Sequence, residues 1–185
     1  ALEPLPSAVA DGHHRNTTAI EHSGDAQLIG GGFVLAFIGD LRQEGLHIHP
    51  THRIWNWNPG DGPDLETVAS KIVEALDDGE GESWQLVSSC GKEWNLQTRP
   101  DLQKPTLARR LADVMTEFED IGAPSTPHVD AEARKQLSGI ENGLLCLLPP
   151  VGKEEFWSRT VAQEVFPPKT TFFEPKISTG MVVRY

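Results

Sequence analysis

Residues 64–76, with the sequence DLETVASKIVEAL, carry the clearest structural signal in the chain. Asp64 is a suitable N-cap because its carboxylate can accept a hydrogen bond from a backbone N–H of the first helical turn. Gly79 follows the apolar periodicity and favours the end of a helix. The pattern therefore predicts a helix over 64–78. One face is apolar at helical spacing and should pack on a core; it consists of Leu65, Val68, Ala69, Ile72, Val73 and Leu76.

Strand-like runs lie on both sides of this helix. Residues 84–88 and 93–98 flank Cys90 and Gly91, an arrangement typical of a β-hairpin. Residues 33–38 are apolar on both alternating faces, which is typical of a strand covered on both sides. The remaining predicted strands are 46–49, 53–57, 144–148 and 177–185.

Three further helices are predicted, over 106–121, 130–137 and 153–166. Strands and helices alternate along the chain, yet several strands are joined directly by turns. This combination favours an α+β fold over a doubly wound parallel sheet. We expect a mixed or antiparallel sheet, with helices packed mainly on one face, in a single domain.

The length of 185 residues suits one domain with a tail. Residues 1–27 are polar and lack sustained periodicity, so they are predicted to form a flexible N-terminal arm, followed by a globular domain over 28–185. Hydrophobic residues make up 38% of the chain and charged residues 23%, a composition typical of globular proteins.

The net charge argues against two classes of partner. Sixteen Lys and Arg against 27 Asp and Glu leave a formal charge of -11. A nucleic-acid binder needs a basic face to neutralise phosphates, so no nucleic-acid partner is expected. No apolar run approaches the roughly 20 residues that a membrane-spanning helix requires, and no membrane span is expected.

One histidine cluster could carry chemistry. In an extended strand His47 and His49 project from the same face, and His52 can return toward them after the turn at Pro50. Three imidazoles can hold zinc or copper, and an open coordination position would give a catalytic site. The alternative is an ordinary polar strand face, with no metal bound.

The two cysteines and the N-terminus bear on the compartment. Cys90 and Cys146 each lie in or beside a predicted strand and could form a disulfide, the alternative being buried free thiols. The chain begins at Ala1 rather than Met, and Asn16-Thr17-Thr18 fits a glycosylation acceptor. These features predict a secreted, extracellular glycoprotein, and the sequence does not identify its protein or small-molecule partner.

Two functions remain open at this stage. The acidic charge and the absence of a specific catalytic motif favour a secreted, non-enzymatic binding or effector-like protein. The alternative is a metal-dependent enzyme that uses zinc or copper at His47, His49 and His52. The expected cofactor is accordingly either none or one divalent transition metal.

Overall fold

The computed structural model describes residues 7–10, 12–24, 36–58, 60, 62–99, 101 and 105–176. The helices in these residues are α1 (His13–Glu21), α2 (Leu65–Leu76), α3 (Leu107–Met115), α4 (Asp130–Leu137) and α5 (Lys153–Val161). The strands are β1 (His47–His49), β2 (Arg53–Asn56), β3 (Glu82–Ser88), β4 (Glu93–Thr98), β5 (Gly143–Leu147) and β6 (Phe172–Glu174).

The chain divides into two compact units. The larger unit is Ile48–Phe172 and contains the main sheet. The smaller unit combines Ala1–His47 with Phe173–Tyr185, and its described residues include α1. The predicted boundary at residue 27 stays a prediction.

An antiparallel four-stranded sheet forms the centre of the larger unit. Its strand order is β2-β5-β3-β4, so β5 enters between two strands that precede it in sequence. Leu86 of β3 lies opposite Cys146 of β5, and Ile54 of β2 lies opposite Leu145. The predicted hairpin is confirmed, with Trp84 opposite Leu96. Strands β1 and β6 form a separate two-stranded sheet.

Helix α2 forms as its sequence predicts. The Asp64 carboxylate accepts a hydrogen bond of 2.9 Å from the Thr67 backbone N–H, which caps the first turn. Beyond the helix Gly79 has a φ of 68°, a left-handed conformation that a residue with a Cβ rarely adopts. Val68 and Ile72 are fully buried against the sheet.

Helices cover both faces of the four-stranded sheet, two on one face and one on the other. Helices α2 and α3 pack on one face, in a cluster that includes Trp84, Leu86 and Leu144. Helix α4 packs Ala133 and Leu137 on the other face. The predicted α+β class, with an antiparallel sheet and helices mainly on one face, is confirmed.

Several predicted elements differ from the structure. Of the predicted strand 33–38, residues 33–35 lie outside the described residues; 36–38 form no strand, and Phe37 is 73% exposed. The predicted strand 177–185 also lies outside the described residues. Helices α3 and α5 end earlier than predicted, at Met115 and Val161. The chain forms a turn directly after each of them. Helix α1 and strand β6 were not predicted.

None of the helices in the described part of the chain has the length and apolar character needed to cross a lipid bilayer.

Candidate functional site

Three consecutive polar residues, Thr51, His52 and Arg53, are buried at the start of β2. Their exposures are 3%, 1% and 5%. Buried polar side chains need hydrogen-bond partners to offset the loss of hydration. His52 and Arg53 each retain one buried nitrogen that lacks a hydrogen-bond partner among the described residues: Nδ1 of His52 and Nη1 of Arg53.

His52 is hydrogen-bonded to a residue 78 positions later in the chain. Its Nε2 donates a hydrogen bond of 2.9 Å to Asp130, the first residue of α4. Burial lowers the pKa of His52, and the nearby Asp130 carboxylate offsets part of that effect. A neutral ring that donates from Nε2 keeps its lone pair on Nδ1. The geometry therefore presents Nδ1 as a proton or hydrogen-bond acceptor.

Arg53 lies on the opposite face of β2, because neighbouring residues of a strand alternate. Its Nη2 donates a hydrogen bond of 3.1 Å to the Pro168 carbonyl oxygen. In the sheet it lies opposite Cys146. Burial lowers the pKa of Arg53, which shows that the surroundings disfavour its charged form.

A cavity of about 50 Å³ lies beside Thr51, where β4 and β5 end and β3 begins. It has room for a few water molecules. Threonine hydroxyls and arginines line it, including Thr51, Thr98, Thr106, Thr170, Arg99 and Arg110. Glu82 also lines it, and burial, followed by the charge of Glu155, raises the pKa of that carboxyl group.

Within the smaller unit, helix α1 begins at His13, and its N-cap residue Gly12 has a φ of 80°. No side chain caps this end by a hydrogen bond, and no acidic residue lies in the first turn. Backbone N–H groups at a helix start, together with the helix dipole, favour the binding of an anion such as phosphate.

The predicted metal site is wrong. Among the described residues, no three His, Cys, Asp or Glu side chains are grouped so that they could hold a metal ion. The His52 ring is bonded to Asp130, whereas the His49 ring lies against Phe172, with ring centroids 6.1 Å apart. His47 is exposed in β1. The strand alternation alone could not reveal that Asp130, 78 residues away, takes up His52.

The predicted disulfide is also wrong, because both cysteines are free. Cys146 lies opposite Leu86, and Cys90 follows Leu86 by four residues. Cys146 is fully buried in β5, whereas Cys90 lies exposed in the turn after β3, with its Sγ 3.0 Å from Ser88 Oγ. Burial raises the pKa of the Cys146 thiol, while Cys90 is exposed and a hydrogen bond with Ser88 lowers its pKa.

Asn16, the predicted glycosylation site, lies in the second turn of α1. Its modification and the location of the protein outside the cell stay predictions.

Sequence comparison identifies a family for this chain. The family described as "Protein of unknown function (DUF1015)" matches residues 1–118. The chain belongs to the DUF1015 family. No curated protein matches its sequence.

Solved structures share the fold of this DUF1015 protein. One is a conserved hypothetical protein from Pyrococcus furiosus, at 18% identity and a TM-score of 0.54, covering 89% of this chain and 68% of that one. Another is a free serine kinase mutant in complex with AMP, at 18% identity and a TM-score of 0.55, covering 89% and 66%. A free serine kinase mutant in complex with ADP has 14% identity and a TM-score of 0.53, and the match covers 89% of this chain and 66% of that one. The chain thus spans about two thirds of the length of these structures.

These similarities correct the predicted function. The prediction of a non-enzymatic binding or effector-like protein is wrong, because the structures that share this fold include kinases in complex with AMP or ADP. The description as a disulfide-bonded, metal-binding protein is wrong, since both cysteines are free and the described histidines form no metal-ligating group.

Sequence reasoning missed helix α1, because it placed residues 1–27 in a flexible arm. The available signal was a stretch without glycine or proline between Gly12 and Gly24, although Thr17 and Thr18 are weak helix formers.

Proposed function

We propose that this DUF1015 protein is an enzyme that binds an adenine nucleotide and transfers a phosphoryl group to the hydroxyl group of a small molecule. The observation that carries the proposal is the fold, which covers 89% of the chain and is shared with free serine kinase structures that hold AMP or ADP. Free serine, named for those kinases, is the first hydroxyl acceptor to test.

The start of α1 supports the nucleotide part of the proposal. Phosphoryl transfer depends mainly on positioning and on electrostatic stabilisation of phosphate oxygens. Helix α1 offers backbone N–H groups and the positive end of its dipole, and no acidic residue lies in its first turn. In a chain with a net charge of -11, a helix start without acidic residues is a place where a phosphate is attracted rather than repelled.

The decisive experiment measures ADP and AMP binding to the chain by isothermal titration calorimetry, with and without the variant His14→Glu. His14 is exposed in the first turn of α1. A glutamate there suits the helix dipole, so α1 should stay folded. Its charge repels a bound phosphate by several kcal/mol at a separation of about 4 Å, so we expect affinity to fall at least tenfold.

His22→Glu is the matched control. His22 is the exposed C-cap residue of the same helix, eight residues after His14. At 1.5 Å per residue the two positions are about 12 Å apart, which exceeds the Debye length at physiological salt. The control should bind ADP like the wild type.

Transfer is then followed with labelled nucleotide and free serine. Labelled product from the wild type, reduced in His14→Glu and retained in His22→Glu, is the expected result. A wild-type chain that binds no adenine nucleotide at millimolar concentration would refute the proposal.

A further inference from the structure

The cavity of about 50 Å³ in the larger unit has no role in the nucleotide binding proposed for α1. The described residues that line it all lie between Thr51 and Thr170. It opens to the surface, because Glu82, Arg99 and Pro150 on its wall are exposed. A cavity of this volume holds about four groups of the size of a water molecule. It can therefore admit a molecule of about four non-hydrogen atoms from solution.

The arginines on the wall of this cavity already lie beside carboxylates. The pairs are Arg159 with Glu155 and Glu164, each at 2.7 Å, Arg99 with Glu80, and Arg110 with Asp78 at 3.8 Å. A paired arginine attracts a further anion weakly, because the nearby carboxylate repels it. The charges around the cavity therefore do not favour an anionic ligand.

Glu82 on the same wall has the opposite character. Among the described residues, no hydrogen bond or ion pair engages its carboxylate, and the charge that acts on it is the carboxylate of Glu155. Burial, followed by that like charge, raises the pKa of Glu82. A cation placed at Glu82 would offset this repulsion, so the carboxylate favours a positively charged group.

Thr106 supplies a hydrogen-bond donor to the same cavity. Its side chain is 2% exposed, and its Oγ1 accepts a hydrogen bond of 3.3 Å from the Arg109 backbone N–H at the start of α3. Within the described ranges of the chain, the hydroxyl proton of Thr106 has no acceptor. Thr98, also on this wall, differs because its hydroxyl both donates and accepts. A buried donor without an acceptor is costly, and a ligand oxygen would satisfy it.

We propose that this cavity binds a small amino alcohol, with its ammonium group at Glu82 and its hydroxyl oxygen accepting a hydrogen bond from Thr106. Both residues line the same small cavity, so one short molecule can reach both. The compound 2-aminoethanol has four non-hydrogen atoms, as the volume requires. This inference does not depend on nucleotide binding.

The test is an NMR titration of the whole chain with 2-aminoethanol at pH 7, where the amine is protonated. Ethylene glycol has the same number of non-hydrogen atoms and no charge, and it should bind at least tenfold more weakly. In n-propylamine a methyl group replaces the hydroxyl group, so this amine should bind several-fold more weakly than 2-aminoethanol. The amide signals of Glu82 and Thr106 should shift as 2-aminoethanol binds.

The variant Glu82→Gln removes the charge and nearly keeps the shape of the side chain. Because Glu82 is exposed at the start of β3, the variant should fold, and its affinity for 2-aminoethanol should fall at least tenfold. Glu141→Gln is the matched control. Glu141 is exposed before β5 begins, whereas the cavity lies where β5 ends, so this variant should bind 2-aminoethanol like the wild type.

Two results would overturn the inference. One is a Glu82→Gln variant that binds 2-aminoethanol as tightly as the wild type. The other is tighter binding of the anion glycolate than of 2-aminoethanol, which would show that the arginines decide the ligand. The proposed function is tested separately, since a chain that binds 2-aminoethanol through Glu82 but binds no ADP would refute the nucleotide proposal and support this one.

Discussion

Thr98 joins the end of α2 to the sheet through one hydroxyl group. Its Oγ1 donates a hydrogen bond of 2.6 Å to the Leu76 carbonyl oxygen and accepts one of 2.9 Å from Trp84 Nε1. All three residues are at most 5% exposed. Leu76 is the last residue of α2, so its carbonyl oxygen lacks a partner within the helix. Two buried polar groups therefore depend on one side chain.

The substitution Thr98→Val removes the hydroxyl while nearly keeping the shape. It leaves the Trp84 N–H and the Leu76 carbonyl oxygen buried without partners, at roughly 1–3 kcal/mol each. We expect the free energy of unfolding to fall by about 2–5 kcal/mol. Thr98→Ser is the matched control, because it keeps the hydroxyl and loses one buried methyl group, at about 1 kcal/mol.

Urea denaturation followed by tryptophan fluorescence measures both variants. The midpoint should shift strongly for the valine variant and slightly for the serine variant, with unchanged m-values. A valine variant within 0.5 kcal/mol of the wild type, about the scatter of neutral substitutions, would show that this hydroxyl is not the link between helix and sheet.

Two other predictions concern a helix end and a buried histidine. Gln163 follows α5 with a φ of 60°, so Gln163→Gly should stabilise the fold by up to about 1 kcal/mol, and an unchanged or lower Tm would contradict this account. Because burial lowers the pKa of His52 from its usual 6.5, the folded state binds fewer protons than the unfolded state below that pH. Stability should therefore decline as the pH drops below about 6.5, by at most about 1.4 kcal/mol per pH unit, and His52→Gln should flatten this slope in pH-dependent urea titrations.

Local signals in the sequence predicted most elements of the larger unit. The Asp64 cap and the apolar face of α2 depend only on residues within the helix, and both are confirmed. The hairpin of β3 and β4 depends on neighbouring strands and a short turn, and it is confirmed as well. Helix α4 begins and ends at the predicted residues.

The candidate site could not be predicted in this way. His52 looked like one of three metal ligands because the sequence shows spacing along a strand and nothing of what lies across from it. The partner of His52 is Asp130, 78 residues later, and the bond acceptor of Arg53 is Pro168, 115 residues later. Hydrogen bonds between residues so far apart in sequence form only when the chain packs in three dimensions, and local sequence patterns do not reveal them.

The sequence by itself determined the helices and strands whose caps, turns and periodicity are local, because those signals act over fewer than about a dozen residues. Tertiary structure alone decided that β5 enters between β2 and β3, which places the buried Cys146 opposite Leu86, whereas Cys90 is exposed in the turn after β3. It also decided which buried charges were matched, giving Arg159 two carboxylates and Arg53 none. Charge matching is a property of the packed state, since in the unfolded chain water solvates every charge equally well.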